Sequence, residues 1–282
     1  MPLPLELRSN DIVRHILNID SRFRDNPTSN TTSNFYFKLI TPVKNVIRVR
    51  ITSIEFPNNY YIFTAKRNNT SLYIIYNQTT RVQITIPDGN YSAYEIMAAI
   101  QANLNSIGLT WLVLSFLPNS GRFVFTGNQP FCLDMVYKSL PRPFDYGLGY
   151  YLGFSRTGHD SDTGFTVTSD HCATFSGDNY VFLKINDFDC VRQTLQDSEL
   201  TALAKLVLRE PKNFMSFDDY ASQHVKEVVF QNPTDLSRFH IRILDSYGDV
   251  MDLASSQISF SMEVLEVRNT ALYNSIRDSG SI

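Results

Sequence analysis

Cysteine is scarce. Cys132, Cys172 and Cys190 stand far apart, are odd in number and form no CxxC pair. That excludes a disulfide framework and leaves free, buried thiols suited to a reducing compartment. Neither sign of charge dominates: 25 Lys+Arg oppose 28 Asp+Glu, for a net charge of −3 and a pI near 5.9. A chain that coats nucleic acid needs a basic excess to neutralise phosphates, so that class is disfavoured. No apolar run approaches the roughly 20 residues of a membrane helix; the strongest, 111–117, has the length of a strand. The first twenty residues carry Glu6, Arg8, Asp11 and Arg14 where a secretory signal would be apolar without a break, so a soluble, non-secreted protein is expected. Catalytic signatures are missing as well. His15, His159, His171, His224 and His240 form no HExxH or HxH pair, and there is no Walker A loop and no GxSxG elbow. In Gly147-Leu148-Gly149-Tyr150-Tyr151-Leu152-Gly153 the third glycine comes one residue too late for a dinucleotide fingerprint.

What the chain does contain is apolar residues in strand periodicity. Of its 282 residues 43% are hydrophobic, enough for a substantial core. Ile47, Val49 and Ile51 alternate with Arg48, Arg50 and Thr52. The same period of two recurs at 35–38, 82–86 and 258–267, and further strand-length apolar segments lie at 72–76, 111–116, 122–126, 180–185, 202–208 and 239–244. About eleven short strands with turn signals between them predict an antiparallel sandwich, whereas parallel α/β would need a helix after nearly every strand. One helix is marked over about 92–107. Ser92 and Glu95 form a capping box, an apolar stripe runs through Ile96, Ile100, Leu104 and Ile107 with Asn103 interrupting it, and Gly108 stands at the stop. Residues 1–33 end in a Ser/Thr/Asn tract and are expected to form an extended arm. Residues 34–268 are then a single domain with a loop-rich insertion over 139–176, followed by a tail over 269–282.

Chemistry-bearing residues are few. His171-Cys172 and the Asp160/Asp162 loop are the weak enzymatic alternatives, and no cofactor or metal is expected. Tyr150, Tyr151 and Phe154 would stack sugar rings if the fold were a carbohydrate-binding module. The five Asn-x-Ser/Thr sites at Asn30, Asn68, Asn69, Asn77 and Asn90 are read as turn chemistry. Arg outnumbers Lys by 17 to 8, and aromatics reach 13%; both enrichments suit surfaces buried against other proteins, and an aromatic β core would use the same aromatics. Candidate partner contacts are Arg22, Phe23 and Arg24 on the arm and Arg48 and Arg50 on a strand. The arginines would be forked donors to a partner's carboxylates, with Phe23 as an anchor.

The order of several short motifs carries a resemblance. Ile19-Asp20-Ser21-Arg22 precedes the Ser/Thr/Asn tract and Phe35-Tyr36-Phe37. Then come Val46 to Ile54, Glu55-Phe56-Pro57-Asn58, and Ile86-Pro87-Asp88-Gly89-Asn90-Tyr91 leading into the capped helix. Leu152-Gly153-Phe154, Asp245-x-x-Gly248 with Leu253, and Phe260-x-Met262-x-Val264 complete the series. Over roughly residues 15–267 the chain resembles the jelly-roll minor capsid and penton proteins of the large icosahedral, nucleocytoplasmic DNA viruses of eukaryotes. The resemblance implies an all-β, antiparallel jelly-roll sandwich and a structural protein without catalysis, made in the host cytoplasm and located in the virion. It further implies a homopentameric penton at the five-fold vertices, or alternatively a cement protein, with the major capsid protein and other minor capsid proteins as partners.

Overall fold

The computed structural model describes residues 11–210, 212, 214–218 and 227–278, and these divide into two compact units. Unit 1 takes residues 1–60 and 178–282 of the chain, and unit 2 takes 61–177. Among the described residues there are sixteen strand segments, three α-helices and two short 3-10 turns.

In unit 1 the strands are β1 (Ile12–Asp20) and β2 (Asn34–Pro57) from the first stretch of chain. Unit 2 then intervenes with β3 (Ser71–Tyr76), β4 (Thr80–Thr85), α1 (Ala93–Ser106), β5 (Val113–Leu117), β6 (Arg122–Thr126), β7 (Phe131–Asp134), α2 (Leu148–Tyr151), β8 (Gly158–Asp160) and β9 (Thr166–Thr168). The chain returns to unit 1 with β10 (Tyr180–Ile185), β11 (Val191–Thr194), β12 (Glu199–Ala202), β13 (Ala204–Val207), β14 (Met215–Asp218), β15 (Glu227–Leu244), β16 (Ser259–Val267) and α3 (Thr270–Asp278).

The pairing in unit 1 is nested. β1 pairs with β16, β2 with β15, β10 with β13 and β11 with β12, all antiparallel. First-with-last pairing, repeated inward until a hairpin remains, is the winding of a jelly roll. The all-β, antiparallel class expected from the sequence therefore stands. The main sheet runs β1-β16-β2-β15-β10-β13, and β14 pairs with the end of β2. It curls around one core in which Ile19, Phe35, Val49, Ile51, Leu183, Ile241, Phe260 and Met262 meet.

β2 is one strand of 24 residues, although its sequence reads as two with a Thr-Pro break between them. Pro42 lies where the ladder with β15 loses register, between Lys38 and Val43, and Pro233 lies in a separate irregularity, between Val229 and Thr234 of β15. Proline lacks an N–H to donate, so it fits within a strand at such a bulge. A second bulge, at the β16 side, changes the facing of the 46–51 segment. Val46 joins the main core with Val49, while Ile47 turns away to pack with Val267 and Tyr273 of α3. The simple alternation of Ile47 with Val49 and Ile51 is corrected accordingly.

The arm and the tail are corrected too. Residues 12–20 are the edge strand of the sheet, because Leu17 and Ile19 share the apolar core and the β16 backbone offers a full nine-pair ladder. Residues 1–10 lie outside the described residues, as do 279–282. The rest of the predicted tail is helix α3, which buries Tyr273 and Ile276.

Unit 2 has a core of its own, so the span 34–268 divides between two compact units. Its sheets run β4-β3-β7-β8 and β5-β6-β9. Ile96, Ile100 and Leu104, four residues apart, bury one stripe of α1 among Ile74, Ile84, Phe123 and Phe125. The capping box is formed: Glu95 N–H donates to Ser92 Oγ at 3.3 Å, and Ser92 N–H donates to Glu95 Oε2 at 2.8 Å. Asn103, the interruption in the stripe, accepts Thr85 N–H at 3.0 Å and so ties the helix to β4. Gly108 stops the helix with φ +82°, a left-handed value that favours glycine. The loop-rich span 139–176 is not an appendage, because Tyr146, Leu148, Leu152 and Phe154 from it are buried in the unit 2 core.

Candidate functional site

The arm contacts begin at the end of β1. Asp20 is buried, caps a short 3-10 turn over Ser21–Phe23, and accepts Arg22 N–H at 2.8 Å. The Arg22 guanidinium grips the same carboxylate, with Nε at 3.0 and 2.9 Å from its two oxygens and Nη2 at 2.5 Å from Oδ2. This hydrogen bonding holds the Asp20 carboxyl below the ordinary carboxylate range despite burial.

Arg24 is engaged within its own loop. Its Nε donates to the Asn30 carbonyl at 2.9 Å, Nη1 to that of Ser21 at 2.7 Å, and Nη2 to that of Pro27 at 3.4 Å. The polar tract is thus an ordered loop instead of an extended arm. Asp25 N–H on Tyr36 O and Asn30 Nδ2 on Asp25 O, at 2.8 and 2.6 Å, complete it. Arg238 approaches Asp25 at 3.3 Å and lies over the Tyr36 ring, which stacks on His240. Phe23 is left at the tip with 72% of its surface exposed.

Arg48 and Arg50 sit on the face opposite the core, in a charge row that crosses four strands. Glu263 of β16, only 8% exposed, receives Arg14 Nε on one oxygen and Arg48 Nη2 on the other, each at 3.0 Å. Arg50 lies in register with Glu227 on one side and Glu263 on the other. The structure brings Arg22, Phe23 and Arg24 together in one loop and Arg48 and Arg50 together in one row. Sequence reasoning found these residues but missed their partners: Arg22 and Arg24 are engaged within their own closed loop, and Arg48 meets Glu263 only through a strand register set across 215 residues of chain.

The other sequence candidates are placed as follows. His171 and Cys172 are both exposed, and Cys172 and Cys190 are exposed free thiols, which corrects the expectation of buried ones. Cys132 is partly buried; desolvation, assisted by Asp160, pushes its thiol up to about 11. Asp162 accepts the N–H groups of Gly164 and Thr166 at 2.9 and 2.8 Å, so it closes its own turn. Among the described residues no group of three His, Cys, Asp or Glu side chains is placed to hold a metal ion. Tyr151 and Phe154 are core residues of unit 2, so the aromatic row of a sugar platform does not form. Gly153, with φ +88°, lies so close to the His171 carbonyl that a Cβ would stand 2.2 Å from its oxygen. This glycine is there for backbone packing. Of the Asn-x-Ser/Thr sites, Asn68 and Asn77 adopt positive φ, and the buried Asn69 side chain bonds Thr64 N–H and the Ile62 carbonyl. No described helix is long and apolar enough to cross a membrane.

The fold and these side chains define an antiparallel β protein with jelly-roll winding and a second β unit inserted into it. No protein-family profile and no curated protein matches the chain. Among solved structures, the crystal structure of the selenomethionine-labelled mavirus penton protein aligns over 90% of this chain and 98% of its own, at 10% identity and a TM-score of 0.47. A superposition that loose carries no argument about family, and the jelly-roll assignment rests on the strand pairing.

Proposed function

We propose that this chain is a structural protein of an icosahedral viral capsid, and specifically the penton at the five-fold vertices. The observation that carries the reading is where the motifs of the resemblance fall. The first, Ile19-Asp20-Ser21-Arg22, and the last, Phe260-x-Met262-x-Val264, are neighbours: Ile19 pairs with Phe260, and Ser21 N–H bonds the Ile258 carbonyl at 2.9 Å. Motifs about 240 residues apart thus form one seam of a nested β body. Phe35-Tyr36-Phe37 and Val46 to Ile54 are two halves of β2, and Asp245 closes the turn after β15 by accepting the N–H groups of Tyr247 and Asp249.

In this reading the chain acts through shape and contact, turns over no substrate, and meets the major capsid protein and other minor capsid proteins within the virion. A pentamer needs a head-to-tail interface in which two different surfaces of one subunit meet. Native mass spectrometry of the full chain should show a ring of five 32.3 kDa subunits, about 160 kDa. Electron cryo-microscopy of particles should place five copies at each vertex. A chain that neither assembles with capsid partners nor appears in particles sinks the reading, and a copy number far above five per vertex replaces the penton with the cement role.

A further inference from the structure

We propose that Phe23 of one copy seats in the groove between β15 and α3 of the next, joining subunits head to tail. The inference rests on the assembly reading above and names the contact surfaces that reading leaves open.

The projecting half is preorganised. Phe23 follows directly on the Asp20–Arg22 clamp, and the loop behind it is closed by the three Arg24 bonds to its own carbonyls. An aromatic side chain held on a rigid loop loses little freedom on docking, which is the character of an interface hot spot. Because Arg22 and Arg24 are engaged within the loop, the group presented is apolar, not a forked donor.

The receiving half is a groove of about 440 Å3 lined by Val229, Phe230, Gln231, Asn232, Tyr273 and Arg277. Val229, 62% exposed, stands at its mouth. Arg277 is engaged as well: Nη1 donates to Gln231 O at 2.8 Å and Asn232 Oδ1 at 2.7 Å, and Nη2 pairs with Asp278 at 3.0 Å. A ring entering here therefore meets an apolar wall and a neutralised cation.

Position argues for a second copy as the occupant. Asp20 pairs with Ser259, where β16 begins, so Phe23 lies beyond that end. Tyr273 packs on Ile47 and Val267, where β16 ends. Eight residue steps of about 3.3 Å separate the two ends by about 26 Å along the strand. One copy thus offers its ring and its groove at opposite ends of the same strands, each uncovered among the described residues. The charges flanking them, Arg22 with Asp20 and Arg277 with Asp278, cancel in pairs, so identical copies approach without repulsion.

The test uses the full chain with Phe23→Ala and Val229→Arg made separately. Both side chains are exposed, and circular dichroism with thermal melting confirms that the variants fold. Each variant alone should raise the concentration needed for assembly by about tenfold or more, as loss of a hot spot does. An equimolar mixture of the two should give dimers and nothing larger, because only one competent ring and one competent groove remain per pair. A photoreactive phenylalanine analogue at position 23 should cross-link to residues 227–232 or 270–278 of an isotope-labelled second copy. Wild-type assembly by both variants, larger rings from the mixture, a monomeric wild type at every concentration, or a cross-link elsewhere (to residues 279–282 of the same chain, or to another capsid protein) overturns the contact. If the chain still occupies particle vertices in those cases, only this contact is wrong; if it is absent from particles, the assembly reading fails.

Discussion

Asp20 carries more than its place in a motif suggests. It caps a turn, clamps Arg22 and ends the edge strand while itself buried. Asp20→Ala should cost about 1 kcal/mol, the usual loss for a capping carboxylate, measured by urea denaturation. Its folded pKa lies below the ordinary 3.8, so the contribution is present above about 3.8 and is lost as pH falls through the folded value. His240 runs the same way for a base. Burial first, then Arg242 and Arg238, lower its pKa below 6.5, with Asp187 opposing. The neutral ring stacks on Tyr36 and its Nε2 lies 2.8 Å from Asn34 Oδ1. The stability it contributes is therefore present above about 6.5 and is lost as pH falls through the lower folded value. Melting temperatures should drop as pH falls below about 6.5, and His240→Gln should flatten that slope.

Among the elements, the row from β1 to β15 depends on Glu263. Glu263→Ala removes the acceptor of a part-buried guanidinium and should cost roughly 2 kcal/mol in denaturant unfolding, within the range for bonds to charged groups. Glu263→Leu combined with Arg48→Met should recover most of that loss, since apolar replacement of both members avoids stranding a charge. The exposed Arg14 adds little. Helix α3 hangs on a smaller cluster, in which Ile47, Val267 and Tyr273 are buried together. Ile47→Ala should cost about 2 kcal/mol and expose α3 to trypsin at Arg268 and Arg277, with cleavage read by mass spectrometry.

At the scale of the molecule, the chain leaves unit 1 after Tyr60 and returns at Asp178. Those two residues are joined: Asp178 N–H donates to Tyr60 Oη at 3.2 Å. Ends tied through one side chain lie within reach of a short linker and allow excision, as domain insertions do. A chain with 61–177 replaced by a short Gly/Ser linker should keep the unit 1 fold, and 61–177 expressed separately should fold around its own core. Dispersed amide spectra check both, and a molten spectrum from either would show that the unit depends on the other.

Local features were legible in the residues themselves. The capping box of α1, the period-two strands and the Asp245 turn need only neighbours a few residues away, so short-range hydrogen bonding and side-chain direction determined them. The contact candidates were legible as residue types but not as roles. Arg24 reads like a free donor until its own loop closes on it, and Arg48 reads like a surface charge until Glu263 arrives from 215 residues away. Ile47 faces α3 because of a bulge that no periodicity announces. The division into two cores, and the meeting of the first strand with the last, came from tertiary structure alone. Apolar burial states how much surface must be covered, and only the register between distant strands decides which surfaces cover one another.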